Sequence, residues 1–449
     1  MGRPLTVPGA PAPGGPQALV GSWGRLSRDA HRLQPLRDRS SLQLASPGPG
    51  RALPFGNGRS YGDVCLNPGG RLWTTRTLDR FIDFDPTTGL IECEAGVLLD
   101  EILTLALPRG WFLPVTPGTR YATLGGALAN DVHGKNHHRA GTLGQHLHSL
   151  VLARSDGSRF ECSATQRPEW LRATLGGMGL TGLIVSARLQ LMAVPGAWMN
   201  TESLAFDSLD GFFALSGQSE RDWQYTVSWV DCVHGSGDST RGILFRGNHA
   251  ADDRPQPAPR TRSVPLAPPV SLVNRATLRA FNALYFATQR RRSGPRLQAL
   301  NPFFYPLDGV RDWNRIYGPR GFYQYQCVVP RPVEREATAA LLRAIGTSGR
   351  GSFLAVLKTF GDHASAGLMS FPMAGTTLAL DFPNEGAATL ALFDRLDAIV
   401  GEAGGRLYPA KDARMGRALF ERGYPRVAEF LPFRDPGISS ALSRRLIGE

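Results

Sequence analysis

The sequence predicts an α+β fold in two domains, the second built on an antiparallel sheet. Three observations carry that expectation. A chain of 449 residues is long enough for about two to four domains. Short alternating segments joined by tight turns are mixed with helical patterns instead of alternating with them in βαβ order. The composition also changes after Pro195.

The bulk numbers narrow the class further. There are 50 Lys+Arg against 38 Asp+Glu, a net charge of +12, with 42% hydrophobic and 20% charged residues. This is the balance of a soluble globular chain, and no uninterrupted apolar run reaches the roughly 18 residues of a spanning helix. The positive charge raises nucleic-acid binding as a function. The arginines are spread along the whole chain and no nucleic-acid module is present, so no nucleic acid is expected as a partner. Five scattered cysteines without a C-x-x-C pair predict neither a disulfide framework nor a structural zinc site, and a reducing cytoplasm fits them best.

Residues 1–16 hold five Pro and four Gly and read as a disordered leader. From Leu72 to Glu94 an alternating pattern turns at Asp85-Pro86-Thr87-Thr88-Gly89, which predicts a hairpin. Val97–Leu107 reads as a short helix, Leu150–Cys162 as a second hairpin turned at Asp156-Gly157, Pro168–Leu175 as a helix and Leu183–Met192 as a strand. Beyond Pro195, strands are expected around 225–230, 323–329 and 353–358. Helices are expected around 333–345 and 387–400, the last stopped by Gly404-Gly405. Residues 250–298 are rich in Pro and Arg at both ends and read as a mobile insert. Inside it, Ser271–Arg292 is amphipathic, with Leu278, Phe281, Leu284 and Tyr285 on one face and Arg275, Arg279 and Asn282 on the other. A surface helix packed on its own domain and a basic lid touching an anionic membrane or lipid-linked substrate are both consistent with that pattern.

Lysine usage is informative. Of the 50 basic residues only Lys135, Lys358 and Lys411 are lysine. In a chain that has drifted to arginine, the lysines that remain are candidates for positions needing a compact ammonium whose pKa can move.

Two glycine-rich segments offer unobstructed backbone N–H groups, as a diphosphate requires. One is Gly56-Asn57-Gly58-Arg59-Ser60-Tyr61, and the other is Pro117-Gly118-Thr119 continued by Thr123, Gly125 and Gly126. A third, Gly177 to Gly182, satisfies G-x-G-x-x-G but follows a helical pattern and precedes a strand, the reverse of a dinucleotide fingerprint, so a Rossmann site is rejected. The block Asp131-Val132-His133-Gly134-Lys135-Asn136-His137-His138, with His146 and His148, is the densest polar cluster. Its glycines argue for a loop and no Cys or Glu accompanies it, so acid/base work or cofactor contact is favoured and no metal is expected.

Together these motifs resemble the FAD-binding (PCMH-type) domain of the vanillyl-alcohol oxidase superfamily. Within it, the chain is most similar to the decaprenylphosphoryl-β-D-ribose 2'-oxidase family. The likeness runs from about Trp23 to the C-terminus and includes Trp313-Asn314-Arg315, Gln324-Tyr325-Gln326, Val356 to Gly361, Ser370-Phe371-Pro372, Asp381-Phe382-Pro383 and Gly405 to Asp412. The resemblance implies an FAD-binding domain at 17–195, a substrate-binding domain at 196–404 and a C-terminal return to the FAD domain at 405–449. It implies that the ribose 2'-hydroxyl of a polyprenylphosphoryl sugar is oxidised to the ketone, as the first half of an epimerisation to arabinose. A related oxidase of alditols, aldonolactones or other small polyols is the alternative.

By the same resemblance, Lys411 and His133 are the catalytic candidates. FAD contacts are expected from the two glycine segments with Asn130, Asp131, His133, Gly134, Asn136, His137, Gly141, Gly179, Gly182, Ile184 and Tyr408. Substrate contacts are expected from Tyr61, Lys135, Trp229, Gln324, Gln326, Lys358, Asp381 and Lys411. Arg59-Ser60-Tyr61 stands where covalent members often carry histidine, so non-covalent FAD is expected. Ala379 stands where mycobacterial members carry cysteine. The implied partners are the lipid-linked sugar, a short-chain NADH-dependent reductase and an anionic membrane surface. The implied location is cytoplasmic, peripheral at the inner membrane face, or periplasmic by export with a partner.

Overall fold

The computed structural model describes residues 17–44, 50–235, 237–252, 254–257 and 261–448; the expected leader at 1–16 lies outside them. Two larger sheets and a two-stranded pairing of Trp111–Phe112 with Met192–Ala193 lie in the N-terminal part. The first runs Gln17–Val20, Asp29–Pro35, Arg71–Thr74, Ala52–Phe55, with its last two pairings parallel. The second is antiparallel in the order Phe81–Asp85, Leu90–Glu94, Leu183–Gln190, Leu147–Ala153, Arg159–Ser163. The first expected hairpin is therefore shorter than its hydrophobic pattern. Leu72 and Trp73 are buried in the first sheet, and a turn at Thr75–Leu78 separates them from the hairpin strands. The second hairpin turns at Gly157, whose φ of +86° suits glycine.

The helix Leu99–Ala106 begins where Glu101 reaches back to accept the Leu98 N–H at 2.7 Å. Helix Pro168–Thr174 precedes the third glycine segment and strand Leu183–Gln190 follows it, as the rejection of a Rossmann turn requires.

The rest of the chain builds an eight-stranded antiparallel sheet in the order Gly294–Ala299, Trp198–Phe206, Gly242–Ala250, Tyr225–Val230, Ala355–Phe360, Gly375–Pro383, Phe322–Pro330, Arg406–Leu407. Helices Glu334–Ser348 and Ala387–Glu402 bury Leu341, Leu342, Leu392 and Leu396 in the core shared with it. Helix Leu209–Glu220, capped by Ser208, has no counterpart in the sequence reading. Its apolar stripe is weak, with Leu209 and Phe212 as its fully buried apolar side chains.

Within 250–298, helix Arg275–Arg291 forms, and Gly294–Ala299 is the edge strand of the large sheet instead of part of an excursion from it. The helix faces differ from the expected ones. Leu278 and Asn282 are buried, whereas Leu284 is 68% exposed. The reason is a polar anchor, because Asn282 Nδ2 donates to the Asp231 carboxylate at 2.8 Å and turns that side of the helix inward.

The C-terminal segment ties the sheets together. Strand Arg406–Leu407 pairs with Phe322–Pro330, Ser439 N–H donates to the Ala52 carbonyl, and Arg445 clamps both Asp63 and Asp412 at about 3 Å. Among the described residues no helix is long and apolar enough to cross a membrane. All five cysteines are free thiols.

Candidate active site

A cavity of about 900 Å³ runs between the two glycine segments and one face of the eight-stranded sheet. At its N-terminal end the loops are positioned by each other. The loop after strand Ala52–Phe55 turns at Gly58, with φ +60°, and Asn57 Nδ2 donates to the Tyr121 carbonyl at 2.8 Å. A Cβ at Gly56 would run into Thr123, while Thr123 Oγ1 accepts the Gly126 N–H at 3.2 Å. Gly118 and Gly179 have open space where a Cβ would stand, and both line the cavity. Among the described residues, no protein acceptor takes the backbone N–H of Gly58, Arg59, Gly118 or Thr119. The Arg59 guanidinium lies 4.4 Å from the Trp23 ring centre, and its Nε is buried without a partner among the described residues.

The other end of the cavity is polar and cationic. His133 Nδ1 lies 2.9 Å from Lys358 Nζ, and His133 Nε2 lies 3.0 Å from Gln326 Nε2. Lys358 also donates to the Gly134 carbonyl at 2.7 Å. With the Gln326 amide in this orientation, the imidazole accepts from it and donates to an uncharged Lys358. With the amide turned over, the ammonium donates to Nδ1 and Nε2–H donates to Gln326 Oε1. Both arrangements leave His133 neutral. Burial holds its pKa well below the usual imidazole value, and the Lys358 charge adds to that. Burial likewise depresses Lys358, with Lys135 and Lys411 contributing repulsion. Lys135 donates to the Phe304 carbonyl at 3.0 Å, and burial draws its ammonium down to about 8.

Lys411 Nζ stands 4.0 Å from the centre of the Tyr61 ring. Burial lowers its pKa and the Asp381 carboxylate opposes that shift; burial raises Asp381 in turn. The three lysines singled out by composition therefore line one cavity.

Strand register explains how the sheet residues meet. Gln326 pairs with Ala379, Ala379 with Val356 and Val356 with Trp229; one step along, Lys358 pairs with Thr377. Because side chains on a strand alternate between faces, Val227, Phe245, Arg296 and Gln298 fall on the same face farther out. Every one of these face residues lines the cavity.

Most sequence-expected site residues reach the cavity wall: the glycine segments, Asn130, His133, Gly134, Lys135, Gly182, Ile184, Trp229, Gln324, Gln326, Lys358, Tyr408 and Lys411. Five do not. Asp131 turns into the protein and accepts from the Gly144 N–H and the Ser370 hydroxyl, which fixes the His133 loop. Asn136 donates to the Pro114 carbonyl, and His137 packs 4.4 Å from the Phe360 ring centre. Gly141 ends a helical turn at φ +63°, and Asp381 sits behind Gln324, accepting its amide at 2.6 Å. The histidine cluster is correspondingly dispersed, since His138 bonds the Trp223 carbonyl and His146 the Ala140 carbonyl. Sequence reasoning missed Trp23, Tyr121, Asp308, Gln289, Arg292, Arg296 and Gln298 on the wall. The alternation of Arg296 and Gln298 was the available signal for the last pair.

Comparison with known proteins decides the family. An FAD binding domain model matches residues 40–163. The chain is 36% identical to the decaprenylphosphoryl-β-D-ribose oxidase of Mycolicibacterium smegmatis, over 94% of this chain and 96% of that one. The chain belongs to the decaprenylphosphoryl-β-D-ribose oxidase family. It is 33% identical to an uncharacterized protein of the mprA 5' region of Streptomyces coelicolor, over 78% of this chain and 100% of that one. Cytokinin dehydrogenase 4 of Arabidopsis thaliana is 29% identical over 35% of this chain. As a member of the decaprenylphosphoryl-β-D-ribose oxidase family, the protein is an FAD-dependent oxidoreductase of the α+β flavoprotein class, and FAD is its cofactor.

The residues fit that group. Gly58, Arg59, Gly118 and Thr119 present free backbone N–H groups to the cavity, as a diphosphate needs. The buried Oδ1 of Asn130, on the wall beside them, has no partner among the described residues. The lysines at the far end suit the electron-accepting ring, because buried cations stabilise negative charge most strongly where water is excluded.

Proposed function

We propose that the protein oxidises the 2'-hydroxyl of the ribose in a polyprenylphosphoryl-β-D-ribose, giving the 2'-keto sugar as the first half of conversion to the arabinose form. FAD, held without a covalent bond, supplies the hydride acceptor. The protein's task is to orient the sugar carbon and to remove the hydroxyl proton. In this reading Lys411 stabilises the reduced flavin, and either neutral His133 or Lys411 relays that proton. Lys358, Gln326 and Lys135 hold the sugar and its phosphate.

The observation that carries this reading is the composition of the sheet face. Polar Gln326 and Lys358 are followed outward by Val356, Trp229, Val227 and Phe245, an apolar floor leading from the reacting end toward the edge strand. A lipid-linked sugar uses such a floor, and a free polyol has nothing to place on it. A short-chain NADH-dependent reductase is the partner that would take the keto product, and a peripheral position at an anionic membrane face would give access to the lipid.

This is tested by comparing kcat/KM for farnesylphosphoryl-β-D-ribose with that for the methylphosphoryl analogue. Burial of one prenyl unit at ~0.8 kcal/mol per carbon predicts a preference of at least roughly a hundredfold for the farnesyl compound. Equal values, with comparable turnover of a free alditol, would favour a small-polyol oxidase.

A further inference from the structure

The outer end of the cavity is too far from the lysines to hold the phosphate of a substrate reacting there. Four strand spacings separate Ala355–Phe360 from the edge strand Gly294–Ala299, roughly 19 Å at about 4.8 Å each. In a phosphoryl sugar, phosphorus is only three bonds from the 2'-carbon. Yet this rim is lined by Gln289, Arg292, Arg296 and Gln298. Arg296 Nη2 donates to Ser203 Oγ at 3.0 Å, while its Nε and Gln289 Oε1 are buried with no partner among the described residues.

The surroundings of the rim are unusual in charge and exposure. Residues 261–307 contain seven arginines and no Asp, Glu or Lys. Helix Arg275–Arg291 is pinned by Leu278 and Asn282 and sends Tyr285 and Gln289 to the cavity wall. Its outward stripe is Ala280, Ala283, Leu284 and Ala287, all exposed, with Arg279 before it and Arg290, Arg291 after it. Phe281 beside the stripe is 42% exposed. The chain leading into the helix adds Leu266 at 79% and Val270 at 69%. An apolar stripe bracketed by arginines, with no carboxylate on the helix, is complementary to a surface that is anionic outside and hydrocarbon beneath.

We propose that the outward face of helix Arg275–Arg291 docks on an anionic bilayer and sets the cavity rim at the lipid headgroups, whose phosphates the rim arginines and glutamines engage. Docked this way, a lipid-linked sugar enters from the membrane along the apolar floor without crossing water. The inference extends the substrate reading above, and its test is independent of turnover.

The experiment is co-sedimentation of the full-length holoenzyme with phosphatidylglycerol-containing vesicles and with pure phosphatidylcholine vesicles, at low and high salt. The protein is expected to partition onto the anionic vesicles, with binding weakened by salt. Arg279→Ser/Arg290→Ser/Arg291→Ser should lower the partition coefficient roughly a hundredfold, and Leu284→Ser about tenfold. Both variants should keep wild-type turnover of a detergent-soluble substrate analogue, so that failed docking and a wrong substrate give different results. Equal binding to neutral vesicles, or unchanged binding by the variants, overturns the proposal. So does binding of duplex DNA as tight as of vesicles with no effect of Leu284→Ser, which would mark a general polyanion surface. A dimer in light scattering that Leu284→Ser dissolves would assign the face to a second copy and overturn it too.

Discussion

Replacing Lys411 by alanine is expected to leave FAD bound and to reduce turnover by roughly 10²–10³-fold, the range seen when one preorganised charge donor is removed from a reacting centre. Lys411 reaches the cavity over the face of Tyr61, the last residue of the first glycine segment, while among the described residues the backbone N–H groups of Gly58, Arg59, Gly118 and Thr119 that face the cofactor make no hydrogen bond to Lys411. Burial lowers its pKa and the Asp381 carboxylate opposes that shift, so its ammonium exchanges a proton more readily than a surface lysine does. The check is flavin content by absorbance, followed by single-turnover reduction without oxygen. Near-wild-type reduction by the variant would remove Lys411 from the mechanism.

Lys358→Met should have a comparable effect on kcat/KM, together with a change in pH dependence that a purely structural role would not produce. Methionine keeps an unbranched apolar stem as far as Cε but removes the Nζ contacts to His133 Nδ1 and the Gly134 carbonyl. His133 is depressed first by burial and second by the Lys358 charge. Removing that charge lets the His133 pKa rise toward its ordinary value. Protonation of His133 then begins at higher pH, so the acidic limb of the kcat/KM profile moves up in Lys358→Met. An unmoved acidic limb, with activity lost equally at every pH, would show that a Lys358 charge does not set the protonation of His133.

These two residues also show what a sequence can and cannot disclose. Lys135, Lys358 and Lys411 were legible from composition alone, because arginine had replaced lysine elsewhere and a movable ammonium has no arginine substitute. The glycine cradle was legible because close backbone approach restricts residue type. Asp131, Asn136 and His137 were not separable from His133 by sequence, since a polar loop carries both the groups that face a cavity and those that brace the loop from behind. Helix Arg275–Arg291 was legible as a helix but not in its orientation, which depends on a single bond from Asn282 to Asp231, 51 residues away. Arg296 and Gln298 were hidden for a similar reason: only the pairing of Gly294–Ala299 with Trp198–Phe206 brings them onto the face that Lys358 shares. Long-range register and buried polar partners are properties of the folded chain, and local pattern carries little trace of them.

The central claim is that the lysine-lined end of the cavity oxidises a lipid-linked ribose. Its most direct test is anaerobic titration of the purified holoenzyme with a polyprenylphosphoryl-β-D-ribose, monitored by flavin absorbance. Stoichiometric bleaching by the lipid-linked ribose, with none by the matching arabinose compound lacking the ribo 2'-configuration or by free alditols, is the predicted result. A flavin that stays oxidised with the lipid-linked ribose yet bleaches with a free polyol would contradict it.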